Sequence, residues 1–176
     1  MPASAASVFM ERWQRIDDAP PAEAAAHLRI CCASPRWVDR MLARRPLGSL
    51  DAARHAAREE WFALTPEEWK IAFAHHPRIG DVAALRAKFA GAADVSAREQ
   101  AGVAAADGSV VNALLDANRE YEARFGYIFI VCATGKTAAE MLAMLRARLA
   151  NSPSQEIRIA AEEHAKICDL RLAAML

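Results

Sequence analysis

The sequence predicts an all-α protein, a single compact domain of about eight to ten helices. Three observations predict it. Alanine, leucine, arginine and glutamate, all good helix formers, dominate the 176 residues. The 7 glycines and 8 prolines fall between periodic segments, where they punctuate helices without breaking them. Apolar residues recur at amphipathic helical spacing, so strands should be few or absent.

Taken in order, the pattern places helices at about 4–17 and 21–32. Ser34-Pro35 opens the next, at 35–45, because the hydroxyl can cap the first turn and proline fits there. A helix at 50–63 follows. Thr65-Pro66 then starts 66–75, and Thr65 with Glu68 makes a capping-box pattern. Pro77 blocks its continuation. Helices at 81–90 and 97–105 come next, the second preceded by Ser96-x-x-Glu99, another capping-box pattern. The helix at 109–125 ends at Gly126, a natural terminator, and an apolar extended run follows it. Lys136 and Thr137 begin 137–150, with the threonine near the cap. The last helix, 154–174, is the clearest: Ile157, Ala160, Ala161, His164, Ile167, Cys168, Arg171 and Leu172 recur along one side. A histidine and an arginine therefore share an inward stripe.

At 54% hydrophobic residues the chain can bury a core without disulfides or metals, and no linker, repeat or low-complexity stretch divides residues 1–176. Lys plus Arg and Asp plus Glu each number 22, so no net field recruits nucleic acid or anionic lipid. The expected partner is a small molecule, with no nucleic acid and no membrane. Met1 to Met10 does not resemble a secretory signal, and the apolar run Tyr127 to Ala133 is far too short to cross a bilayer. A cytoplasmic protein is expected; the C-terminal Ala174-Met175-Leu176 is not a peroxisomal address. Cys31, Cys32, Cys132 and Cys168 form no CxxC pair and are expected to be reduced and buried. Arg36, Arg40 and Arg44 lie four apart, but Asp39 interrupts the stripe, which reads as a solvated face.

Three stretches could carry chemistry. His76, in His75-His76-Pro77-Arg78-Ile79-Gly80-Asp81, stands at a helix end beside a fixed proline turn, where imidazole can exchange protons near neutral pH. A lone histidine at a helix C-terminus is more often a dipole or capping contact. Ser96-Ala97-Arg98-Glu99-Gln100 can simply start a helix; if its first turn faces a pocket, it supplies donors and acceptors for a flat heterocycle. The run from Phe129 to Ala133 is either a buried connector or an unpaired backbone offering N–H and C=O groups to a ligand.

His76-Pro77-Arg78-Ile79-Gly80, Ser96-x-x-Glu99-Gln100, Phe125-Gly126-Tyr127-x-Phe129-Ile130 and Lys166-Ile167-x-x-x-Arg171-Leu172 occur together and in order. From Phe9 through Leu172 the chain resembles the 2-oxo-4-hydroxy-4-carboxy-5-ureidoimidazoline (OHCU) decarboxylases. The resemblance implies an all-helical fold, a homodimer and a cofactor-free decarboxylation yielding (S)-allantoin. It makes His76 the catalytic acid/base and Glu99 its catalytic helper. Pro77, Ser96, Glu99, Gln100, Phe129, Ile130, Val131, Cys132, Ala133 and Arg171 would bind substrate, with Arg158 the alternative to Arg171. Tyr127, where many relatives have phenylalanine, is expected to carry a surface hydroxyl, and His75 a structural role.

Other readings fail on spacing or lack a specific pattern. Gly135-Lys136-Thr137 would need an earlier glycine where Ile130 stands. His55, His75, His76, Asp81 and Glu99 offer ligand types for a metal hydrolase, but no HExxH-like spacing organises them. A non-catalytic helical interaction module would predict no turnover and a tolerant His76.

Overall fold

The computed structural model describes residues 13–77 and 108–174. Every regular element among the described residues is a helix: α1 (helical residues 13–18), α2 (Pro21–Cys31), α3 (Pro35–Ala43), α4 (Leu50–Phe62), α5 (Pro66–Phe73), α6 (Gly108–Phe125), α7 (Ala138–Arg148) and α8 (Pro153–Ala174). The all-α class is as the sequence predicts. The helices expected at 81–90 and 97–105, and most of that at 4–17, lie outside the described residues.

Local chemistry sets the boundaries. The Ser34 hydroxyl accepts from the Trp37 N–H at 3.3 Å, with Pro35 in the first turn of α3. At the start of α5 the Glu68 carboxylate accepts from the Thr65 N–H at 2.7 Å and the Thr65 hydroxyl from the Glu68 N–H at 3.4 Å. Thr137 and Glu140 make a second such box at α7. Several helices stop short of their periodicity, at Ala43, Phe73 and Arg148. There the chain tightens into three-residue turns: Arg44 N–H to Met41 O at 3.2 Å, His76 N–H to Phe73 O at 3.0 Å, Ala150 N–H to Ala147 O at 3.3 Å. After α5, Pro77 also disfavours a helical backbone at His76. Gly126, at φ 78°, ends α6 as expected.

Packing divides the chain into two units: the described residues up to Ala72 together with those from Ala165 on, and Phe73–His164. In the first, α2 packs on α3 and α3 on α4. The fully buried Trp37 donates its indole N–H to the Ala57 carbonyl at 3.0 Å, and Trp69 donates to the Trp61 carbonyl at 2.8 Å. The buried Asp17 carboxylate accepts from the N–H groups of Leu47 and Gly48 at 2.8 and 2.7 Å, which fastens the loop after α3 to the end of α1. The basic stripe lies on a solvated face as expected, with Arg36 and Arg44 exposed and Arg40 half-buried, and it is paired there. Arg40 pairs with Glu60, and Arg44 with Glu59 at 2.6 Å, because α4 presents two carboxylates to it. All four cysteines are free and buried, and the Cys168 thiol donates to the Cys31 carbonyl at 3.2 Å.

In the second unit α6 packs along α7. Leu114 and Leu145 are fully buried, contributing roughly 1.5–3 kcal/mol each. Rings of Phe125, Tyr127 and Phe129 surround Tyr121 at centroid distances of 4.7, 5.8 and 5.3 Å. Behind them lies a buried charge cluster. Arg148 Nε donates to Glu156 at 2.7 Å, the Tyr121 hydroxyl donates to the same carboxylate, and Asn151 Nδ2 donates to its other oxygen at 2.7 Å. A buried carboxylate is tolerable only with such complete pairing.

Candidate active site

The site is built on the end of α5. The three-residue turn after Phe73 brings His76 out of the helix, half-buried, with Pro77 half-buried behind it. The His76 ring meets His164 of α8 edge to face, with centroids 4.9 Å apart and planes at 74°. His164 is fully buried and stands 5.8 Å from the Phe73 ring, which in turn is 5.3 Å from Tyr127. One flank of the His76 imidazole is thus covered by the His164 ring while the residue keeps some exposure. That setting suits proton transfer in a partly dry space.

The second component is the segment after Gly126. Phe129, Ile130, Val131 and Cys132 are buried and Ala133 is half-buried, yet the segment is neither helix nor strand. Its buried polar groups therefore need partners from elsewhere. Side chains supply three. The Glu163 carboxylate accepts from the Cys132 N–H at 2.8 Å, Arg148 Nη1 donates to the Ile130 carbonyl at 2.8 Å, and Lys136 Nζ donates to the Cys132 carbonyl at 2.7 Å. These groups are occupied by the protein itself, which narrows what the main chain there can offer a ligand. Glu163 and His164 are consecutive on α8, so one stretch of helix touches both the segment and His76.

His76, Pro77 and the 129–133 segment thus belong to one unit. Ser96, Glu99 and Gln100 lie outside the described residues. Arg171 belongs to the first unit, half-buried, with Nη1 3.5 Å from the Ile30 carbonyl. Arg158 and His75 are exposed. Tyr127 departs from expectation: it is buried, not on the surface, because the turn at Gly126 folds it back into the ring cluster. Burial pushes its hydroxyl up to about 12. Lys136 and Thr137, set aside as a phosphate loop, brace the Cys132 carbonyl and cap α7.

Three residues around the site were not singled out as site residues in the sequence. His164 had a visible signal, a histidine at helical spacing among Ala160, Ala161 and Cys168. Arg148 and Glu163 had none, since charged residues on an amphipathic helix normally face water.

The family model for OHCU decarboxylase matches residues 17–173. The chain is 35% identical over 148 residues to the uric acid degradation bifunctional protein TTL of Arabidopsis thaliana, covering 84% of this chain and 45% of that protein. It is 41% identical over 73 residues to the 2-oxo-4-hydroxy-4-carboxy-5-ureidoimidazoline decarboxylase of Amia calva, covering 42% of each. The matches thus span less than half the length of these curated relatives. A crystal structure of OHCU decarboxylase in the presence of (S)-allantoin superposes with a TM-score of 0.70 at 34% identity, covering 83% of this chain and 94% of that one.

Proposed function

The chain belongs to the OHCU decarboxylase family, and on that premise we propose that it converts 2-oxo-4-hydroxy-4-carboxy-5-ureidoimidazoline to (S)-allantoin in urate breakdown. The observation that carries this reading is the half-buried His76, packed on the buried His164 in the same unit as the braced 129–133 segment. One family model runs from 17 to 173, through both units, which supports reading the chain as one catalytic domain.

Losing CO2 leaves an electron pair on carbon, so a cofactor-free reaction needs a sink within the substrate. The ring C=N bond next to the carboxylated carbon is that sink. His76, aided by Glu99, takes the proton of the neighbouring hydroxyl as the bond to the carboxylate breaks and its electrons move into the imine. Two protons then return, one to the ring nitrogen that received the electrons and one to the former imine carbon as the C=O forms, and delivery of the second to one face sets the configuration of the product. Ser96, Gln100 and Pro77 hold the ring, together with main-chain groups of Phe129 to Ala133 not taken by side chains. Arg171 binds ureido or ring oxygens, because an ion pair with the departing carboxylate would stabilise the ground state preferentially.

No described helix is long and apolar enough to cross a membrane. The zero net charge fits a small-molecule partner over nucleic acid or anionic lipid, the family resemblance supports a homodimer, and a cytoplasmic location is part of the same proposal. The test is to generate the unstable substrate from urate with the two upstream enzymes and follow the optical activity of the allantoin formed. Faster formation of a single enantiomer is expected on adding the protein; a racemate formed at the spontaneous rate contradicts the proposal.

A further inference from the structure

The end of α5 and the middle of α8 bring together two imidazoles of different character. His76 is half-buried at a turn, while His164 is fully buried on an otherwise apolar stripe with Ile157, Ala160 and Ala161. Their rings meet edge to face at 4.9 Å and 74°, within the range in which aromatic pairs prefer such geometry. His164 is itself set against Phe73, at 5.8 Å and 53°. Phe73 also supplies the carbonyl that accepts the His76 N–H at 3.0 Å. The backbone and the ring of His76 are therefore referred to the same small cluster. One residue before His164, Glu163 holds the Cys132 N–H.

We propose that His164 is a positioning residue for this reaction: its ring fixes the plane of the His76 imidazole relative to the 129–133 segment. This rests on the reading of His76 as the acid/base. The physical reason is that an imidazole following a turn can rotate about two side-chain bonds, and a rotated base misses the substrate proton. A displacement of about 1 Å at a reacting group can cost on the order of 10²-fold in rate. A buried ring that leaves only one perpendicular orientation comfortable removes that freedom before substrate arrives. His164 touches no reacting atom in this account and acts only through His76.

The test compares H164F, which keeps a ring, with H164L, which fills similar space without one. H76A is measured alongside, using substrate generated from urate. H164L is expected to lower kcat by roughly 10- to 100-fold with KM within about two-fold of the parent, and H164F to recover most of the loss. A merely structural role would move both variants with their thermal midpoints and would not separate kcat from KM. Wild-type kcat in H164L, or equal loss in H164F and H164L at similar thermal midpoints, overturns the positioning role while leaving His76 in place. Full turnover in H76A overturns the acid/base reading and this role with it. Should H164L fail to fold, H164M serves as the ringless variant of similar size.

Discussion

The Glu163 carboxylate accepts the main-chain N–H of Cys132 at 2.8 Å, so α8 holds a buried stretch of chain that has no sheet or helix of its own. Arg148 and Lys136 hold the same stretch by its carbonyls. Side chains thus do here what a neighbouring strand does in a sheet, and they fix the course of the wall on which the substrate is proposed to rest.

Glu163→Ala leaves that buried N–H without its acceptor, at a cost of about 1–3 kcal/mol in stability. Because the wall loosens while His76 stays, KM should rise several-fold with a smaller change in kcat. Urea unfolding and steady-state kinetics on the same preparation check both parts, and an unchanged KM would separate this contact from substrate binding.

Glu156→Ala strands the buried Arg148 and removes the acceptor of the Tyr121 hydroxyl. Breaking one side of a buried ion pair costs about 3–5 kcal/mol. Tyr121→Phe keeps the pair and should cost only about 1 kcal/mol. Urea midpoints of the two variants give the ordering, which the account requires to be strongly unequal.

Burial raises the Cys31 thiol from its ordinary 9.0 to about 12, and burial likewise raises Cys168. In a group whose folded value is raised, the folded state holds its proton more tightly. The resulting stability is complete below pH 9 and is lost as pH climbs toward 12. The urea midpoint should therefore fall between pH 9 and 11, and less steeply in Cys31→Ala, with Cys168 responsible for part of the remaining slope. At pH 8 the native protein should react with a thiol reagent far more slowly than the unfolded chain.

Arg171→Ala removes the guanidinium proposed to bind substrate oxygens. A charged hydrogen bond of about 1.5–3 kcal/mol corresponds to a KM increase of roughly 10- to 100-fold. Arg158→Ala serves as the comparison, since Arg158 is exposed. Equal effects of the two variants would count against Arg171.

Much of the fold was legible because its signals are local. Ser34-Pro35, the Thr65–Glu68 box and Gly126 act within a few residues, and each sits at the helix boundary that its chemistry predicts. What stayed hidden depends on distant partners. The Arg40 and Arg44 stripe is solvated as its spacing suggests, but nothing near it in the chain announces that α4 supplies Glu60 and Glu59 to pair with it. Tyr127 looked like a surface position because nothing near it in the chain announces that Phe73 will come within 5.3 Å. In the candidate site, His76 was marked by the proline after it, whereas Arg148 and Glu163 bind the 129–133 segment through contacts 18 and 31 residues away in sequence.

The assignment of His76 as the acid/base is tested most directly by following the optical activity of allantoin formed from freshly generated substrate with His76→Ala. Removing a general acid/base is expected to lower the enzymatic rate by about 10²–10⁴-fold, leaving product that forms at the spontaneous rate and is racemic. A folded His76→Ala protein that still drives rapid formation of one enantiomer would contradict the account.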